Sequence, residues 1–150
     1  MTSRIVSAST TIPAPAEVVF AILADPRQHA RIDGSGTVRG QVTGPERLEL
    51  DSRFGMEMKM LGLPYKTGNR VVEFEEDRLI AWRHVGQHRW RYELEPVEGG
   101  TRVTESWDYS RYHAVGAKAL ELLGYRQRNR QGIEATLVRL SEAAQADAAG

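Results

Sequence analysis

Residues 79–109 form the stretch LIAWRHVGQHRWRYELEPVEGGTRVTESWDY, whose side chains alternate between two chemically different faces. One face is aromatic or apolar apart from two histidines and one glutamate, and it consists of Trp82, His84, His88, Trp90, Tyr92, Leu94, Val103, Glu105, Trp107 and Tyr109. The other face is polar, and it consists of Arg83, Gln87, Arg89, Arg91, Glu93, Glu95, Arg102, Thr104, Ser106 and Asp108. A period of two predicts strands that bury one face and hydrate the other. The stretch is therefore predicted to form the inner wall of the fold.

Further strands and two short helices are predicted before this stretch. The strands are predicted at residues 4–12, 37–42, 46–50, 51–60 and 66–75. Pro13 and Pro15 end the first strand because proline removes a ladder donor, and helical spacing follows over residues 16–23. Asp25 followed by Pro26 predicts a second helix that ends at about residue 31.

Beyond residue 113 the hydrophobic period becomes helical. An apolar stripe at helical spacing consists of Ile133, Leu137, Leu140 and Ala144. Gly124 predicts either a kink within a helix over residues 113–144 or a close packing contact that tolerates no side chain, and residues 145–150 are predicted to fray. One apolar sheet face needs a covering layer, and this helix is the only large apolar element left. The predicted α+β fold is a curved antiparallel sheet of about seven strands wrapped around a long C-terminal helix, with two short helices after the first strand.

Composition indicates one soluble domain over residues 1–150. The chain is 41% hydrophobic and 27% charged, and its formal net charge is zero. These are ordinary values for a globular protein, and the zero net charge argues against a nucleic-acid partner. The absence of cysteine excludes disulfides and thiolate metal sites. No signal peptide and no apolar stretch long enough for a transmembrane segment are evident, so a cytoplasmic location is expected.

Glu105 is the leading candidate for chemistry on the inner face. A carboxylate among apolar neighbours is costly unless it is paired or protonated. Desolvation would raise its pKa into the range useful to a general acid or base. The alternative is a buried structural ion pair with Arg70, which has the same parity as Val72 and Phe74 and would face inward with them. The sequence leaves both interpretations open.

Two histidines are expected at the rim of the inner face. His84 and His88 flank Gly86 on the inward parity, and imidazole can transfer protons near neutral pH. No third ligand has a suitable spacing, because His29 and His113 lie in separate segments. The sequence therefore predicts no metal site and no cofactor.

Aromatic rings and methionines would supply most of a ligand-binding surface. The predicted ligand-binding residues are Phe54, Met56, Met58, Arg70, Val72, Phe74, Trp82, His84, His88, Trp90, Tyr92, Glu105, Trp107, Tyr109 and Leu120. The alternative for the rings is a filled hydrophobic core. Tryptophan and tyrosine each keep a polar atom that needs a partner, which favours a partly polar cavity.

Several segments carry a resemblance to a known family. They are IPAPAEVVF at 12–20, LADP at 23–26, VVEF at 71–74, LIAWR at 79–83, WRYEL at 90–94 and GGTRVTE at 99–105. The chain resembles polyketide cyclase/dehydrase-type members of the START-related, birch-pollen-allergen-like (SRPBCC) superfamily. The resemblance implies a helix-grip fold with an internal hydrophobic cavity for lipids, sterols or polyketides. It implies no catalytic residue, because the superfamily shares no catalytic motif.

Two functions of different classes follow from these observations. The preferred one is binding of a hydrophobic small molecule, such as a lipid or polyketide, between the sheet and the C-terminal helix. The alternative is a cyclase or dehydratase in which Glu105 or a cavity histidine is the general acid or base and Tyr92 or Tyr109 donates a hydrogen bond. Binding is preferred because no convergent acid, base and donor are evident. We expect a monomer or homodimer.

Overall fold

The computed structural model describes residues 3–34, 38–60, 62–83 and 87–150, without the side chains of residues 38–42, 57–60 and 67. The strands are β1 (Ile5–Ile12), β2 (Val38–Thr43), β3 (Arg53–Met60), β4 (Leu63–Glu75), β5 (Leu79–Arg83), β6 (Arg89–Val97) and β7 (Gly100–Asp108). The helices are α1 (Ala16–Leu23), α2 (His29–Ile32), α3 (Ala114–Leu122) and α4 (Tyr125–Ala149), and a 3-10 turn over Pro26–Gln28 leads into α2.

All seven strands form one antiparallel sheet in the order β1-β7-β6-β5-β4-β3-β2. Helix α4 packs against β1, β7, α1 and α2. Its predicted apolar stripe is buried, from Ile133 through Leu137 and Leu140 to Ala144. The predicted α+β helix-grip architecture is thus confirmed. The apolar inner face of the sheet and the apolar stripe of α4 bury each other, as the layered packing of a domain requires.

A bulge in β4 reverses the predicted orientation of Arg70. The register of β4 against β5 shifts between Val71 and Glu73, and an extra residue in a strand changes which side chains face inward. Val71 is fully buried. Arg70 is exposed and pairs with Asp51, with 2.5 Å between Nη2 and Oδ1. The inward placement of Arg70, and with it the pair with Glu105, was therefore wrong.

Three further predictions about secondary structure differ from the structure. Residues 46–50 form a loop rather than a strand, because buried Leu48 docks on the end of α1 and its N–H donates to the Ala24 carbonyl at 2.7 Å. The predicted kink at Gly124 is a break between α3 and α4, with a left-handed φ of 80°. The predicted frayed tail is helical up to Ala149.

The segment after α2 is held tightly against α4. Arg31 pairs with Asp147, with 2.9 Å between Nη2 and Oδ1, and Arg139 donates to the Asp33 carbonyl at 2.6 Å. The N–H of Gly34 donates to the Thr136 hydroxyl at 2.9 Å. A Cβ at Gly34 would lie 2.4 Å from the Thr136 backbone nitrogen, so only glycine fits this approach. These contacts fix the position of Asp33, which is half-buried.

Candidate ligand-binding site

Glu105 lies on the inner face of β7 and is 2% exposed. In the register of the sheet it stands between Ala8 of β1 and Tyr92 of β6. Within the described part of the chain, no group hydrogen-bonds to its Oε1 atom. Buried polar atoms are nearly always hydrogen-bonded. An orphaned carboxyl oxygen therefore marks this position as unusual.

Burial raises the pKa of Glu105 to about 8, hydrogen bonding with Tyr92 acts against that rise, and the negative charge of Asp33 adds to it. Burial and the neighbouring Glu105 also raise the pKa of the Tyr92 phenol well above its usual value. Both groups are thus mainly protonated near neutral pH. A protonated carboxyl group can donate as well as accept a hydrogen bond.

Four rings form one cluster beside Glu105, here called the His29 cluster: His29, Phe54, Trp82 and Tyr92. The His29 ring stacks on Trp82, with 4.7 Å between centroids and 19° between planes. Phe54 lies edge-on to both rings, at 5.3 Å from His29 and 5.6 Å from Trp82. Tyr92 continues the cluster toward Glu105, with its centroid 5.5 Å from that of Trp82. The cluster is an aromatic surface with polar atoms at its edge.

His29 contributes a second buried polar atom without a partner. Its Nε2 lies 2.9 Å from the Leu23 carbonyl oxygen, so Nε2 carries the proton, because a carbonyl can only accept. Burial lowers the pKa of the ring, which keeps it neutral. Its Nδ1 atom has no hydrogen-bond partner among the residues described. That lone pair is a free acceptor inside the protein.

A second group of rings, here called the Trp107 cluster, covers the far side of Glu105: His88, Trp90, Trp107, Tyr109 and Tyr112. Trp107 stacks on Tyr109 at 4.6 Å between centroids. His88 Nδ1 and the Tyr112 hydroxyl are hydrogen-bonded at 3.0 Å. The Tyr109 hydroxyl accepts from Arg126 at 2.6 Å. His88, Tyr112 and Tyr109 in this cluster thus have protein partners, whereas Glu105 Oε1 and His29 Nδ1 have none among the described residues.

Comparison with known proteins identifies the family. The family model for "Polyketide cyclase / dehydrase and lipid transport" matches residues 3–145. The chain belongs to this family. A curated protein of similar sequence, uncharacterized protein Rv0088 of Mycobacterium tuberculosis, is 46% identical over 91% of this chain and 62% of that protein. The chain therefore spans 62% of the length of that curated relative.

Solved structures show the same fold at low sequence identity. Protein NE0264 from Nitrosomonas europaea matches with a TM-score of 0.70 and 17% identity, over 97% of each chain. The Aha1 dimer from Colwellia psychrerythraea matches with a TM-score of 0.65 and 15% identity, over 95% of this chain and 96% of that one. At such identities the likeness concerns the fold alone.

The predicted site residues of this polyketide cyclase/dehydrase family member fall in different places. The inner face of the sheet carries Phe54, Met56, Trp82, Tyr92, Trp107 and Tyr109, all of them buried, and Tyr92 is the one directly opposite Glu105. Phe74, Trp90 and Leu120 are partly buried against them, Val72 is half-buried at the bulge, and His88 is half-buried in the Trp107 cluster. Arg70 lies outside. His84 and the Met58 side chain fall outside the described residues.

Sequence reasoning missed His29 and Asp33. Both come from the short segment after α1, where the local pattern gave no reason to expect a buried histidine or an aspartate whose charge acts on Glu105. The signal available in the sequence was the spacing of His29 from apolar Ile32, since residues three apart share a helix face. In the structure both residues are buried.

Neither a metal-binding cluster nor a membrane-spanning helix is seen in the part of the chain that the structure describes. In these ranges, no group of three or more histidine, aspartate or glutamate residues is arranged to hold a metal ion. Nor does any helix described here combine the length and apolar character needed to cross a bilayer.

Proposed function

We propose that the domain, taken as residues 1–150, binds a hydrophobic small molecule between the inner face of the sheet and α4. The observation that carries this proposal is the Oε1 oxygen of buried Glu105, which has no hydrogen-bond partner among the described residues and lies in an aromatic interior. Leaving a buried polar group without a partner costs about 1–3 kcal/mol. A ligand oxygen or hydroxyl that meets this group would offset the cost, and the family description of lipid transport supports the same class of ligand.

The polar atoms favour an amphipathic ligand. Protonated Glu105 would donate to a carbonyl or hydroxyl oxygen, whereas His29 Nδ1 would accept from a hydroxyl. Trp82 and Trp107 would supply apolar area on either side of Glu105. A lipid or polyketide carrying a few oxygens fits this combination better than a pure hydrocarbon.

The test is native mass spectrometry of the protein purified from a mycobacterial host, because its curated relatives come from Mycobacterium tuberculosis. We expect a co-purifying small molecule. We also expect the neutral probe N-phenyl-1-naphthylamine to fluoresce on binding and to be displaced by the extracted compound.

The matched variants are Glu105→Gln on the inner face and Glu73→Gln on the outer face. Retention of the natural ligand should weaken in Glu105→Gln and stay unchanged in Glu73→Gln. A polypeptide mass without any ligand, together with no probe fluorescence, would refute the binding function.

The raised pKa of Glu105 favours a second candidate, a cyclase or dehydratase. A carboxyl group with a pKa of about 8 exchanges protons at neutral pH, and Tyr92 lies beside it as a hydrogen-bond donor to a developing enolate. Conversion of the co-purified compound over time, abolished in Glu105→Gln while binding persists, would establish the enzyme. Unchanged ligand after long incubation would leave binding as the function.

A further inference from the structure

Three arginines lie side by side on the outer face of the sheet, away from the site described above. Arg53, Arg70 and Arg83 are paired across the neighbouring strands β3, β4 and β5, and all three are exposed. Side chains directly opposite each other in antiparallel strands have Cβ atoms about 4.5–5.5 Å apart, and like charges in such pairs are destabilising. The three guanidinium groups in this row therefore repel one another, and an anion beside them would relieve that repulsion.

The protein neutralises only part of this charge. Asp51 accepts from Arg70 Nε at 3.1 Å and from Nη2 at 2.5 Å. Arg53 and Arg83 form no ion pair with any described residue. Among the described residues, two of the three positive charges in this row thus have no ion-pair partner, whereas elsewhere on this face Arg89 and Arg91 both pair with one glutamate.

Two glycines clear the space beside the arginines. Gly55 and Gly68 are paired across β3 and β4, and Thr43 of β2 is the next residue in that row. Neither glycine has a positive φ, so the backbone does not require glycine there, and glycine weakens a strand interior. A Cβ on Gly68 would meet no atom within 4 Å. Together with the arginines they line an open groove of about 490 Å³.

We propose that this groove binds a small molecule that carries a phosphate or carboxylate group. Arg53 and Arg83 would hold the oxyanion through paired N–H donors, the geometry in which guanidinium recognises both groups. The glycine floor would let the body of the molecule lie against the backbone of β3 and β4. Thr43 supplies a hydroxyl at the far end of the groove. This site is independent of the ligand proposed for the inner face.

The test is an NMR titration of the isotope-labelled chain with inorganic phosphate, pyrophosphate and citrate at constant ionic strength. We expect saturable shifts of the Gly55 and Gly68 amides and of the Arg53 and Arg83 Nε–H signals. A comparison of the affinities for pyrophosphate and citrate identifies whether the groove prefers a phosphate or a carboxylate group.

Three variants separate this site from general surface charge. Arg53→Gln and Arg83→Gln should each weaken binding about tenfold, since each removes a charge-assisted pair. Arg102→Gln, an exposed arginine of the same face on β7, is the matched control and should bind like the wild type.

A fourth variant, Gly68→Val, fills the floor and leaves all arginines in place. It should weaken citrate and pyrophosphate binding more than phosphate binding. Shifts that do not saturate, or equal affinity in Arg53→Gln, Arg83→Gln and Arg102→Gln, would overturn the proposal.

Discussion

Glu73 and Glu105 belong to the same sheet but face opposite sides of it. Glu73 on the outer face of β4 accepts from Arg89 at 3.2 Å and Arg91 at 3.3 Å, and its side chain is 27% exposed. Glu105 is 2% exposed, and in the described ranges nothing hydrogen-bonds to its Oε1 atom. Among the described residues, arginines thus pair with a carboxylate on the wet face of the sheet, whereas none pairs with the carboxyl group of Glu105 that the fold buries. The buried group must instead stay protonated or meet a ligand.

The outer pair also covers the sheet. Ala81 lies between Glu73 and Arg91 in the register of β4, β5 and β6, and it is fully buried. The salt bridge therefore screens a small apolar residue from water. On the inner face, helices and aromatic rings take that covering role.

The largest expected effect comes from Glu105→Gln. Because the folded-state pKa of Glu105 is raised to about 8 from an ordinary 4.5, the folded protein binds more protons than the unfolded chain between those values. Stability should thus fall as pH rises through this window, by about 2–5 kcal/mol in total. Glu105→Gln should lack this loss and be the more stable protein at about pH 9, as measured by urea unfolding.

The control for this experiment is Glu73→Gln, which should keep the pH dependence of the wild type. Parallel stability curves for Glu105→Gln and the wild type across the same pH range would contradict a buried, protonated carboxyl group.

An intermediate effect is expected at a buried polar group that does have a partner. Arg126 donates to the Tyr109 hydroxyl at 2.6 Å and to the Ser3 carbonyl at 2.7 Å. Because Tyr109 is fully buried, Arg126→Met should lower the free energy of unfolding by about 1–3 kcal/mol. The measurement is thermal and urea unfolding.

A double-mutant cycle sharpens this result. Tyr109→Phe removes the hydroxyl, so the combined variant should be less destabilised than the sum of the two single variants. Strict additivity would mean that the hydroxyl does not depend on Arg126.

The smallest effect is expected for Glu73→Gln. Because the ion pairs of Glu73 with Arg89 and Arg91 are partly exposed, the loss should be about 0.2–1 kcal/mol and should shrink in high salt. Urea unfolding at low and high salt measures it. A salt-independent loss of unfolding free energy as large as that of Arg126→Met would contradict the expectation that exposed ion pairs on the outer face contribute less than buried polar contacts.

The sequence predicted the inner wall because strand alternation is a local property. Trp82, Tyr92 and Glu105 face inward as their parity requires. The apolar stripe on α4 was predicted in the same way, from its helical spacing. Arg70 was misplaced because the bulge after Val71 leaves no mark in a continuous apolar and charged run. His29 was missed because its burial depends on how α2 docks on β3 and β5, which no local pattern records.

Gly124 has a consequence for how the two C-terminal helices relate to each other. In a continuous α-helix, each inserted residue rotates everything downstream by about 100°. An insertion in α3 would then turn the stripe of Ile133, Leu137 and Leu140 away from the sheet. The left-handed residue at φ 80° resets the helical phase before α4 begins. Changes in the length of α3 can therefore accumulate without shifting the orientation of the helix that closes the core.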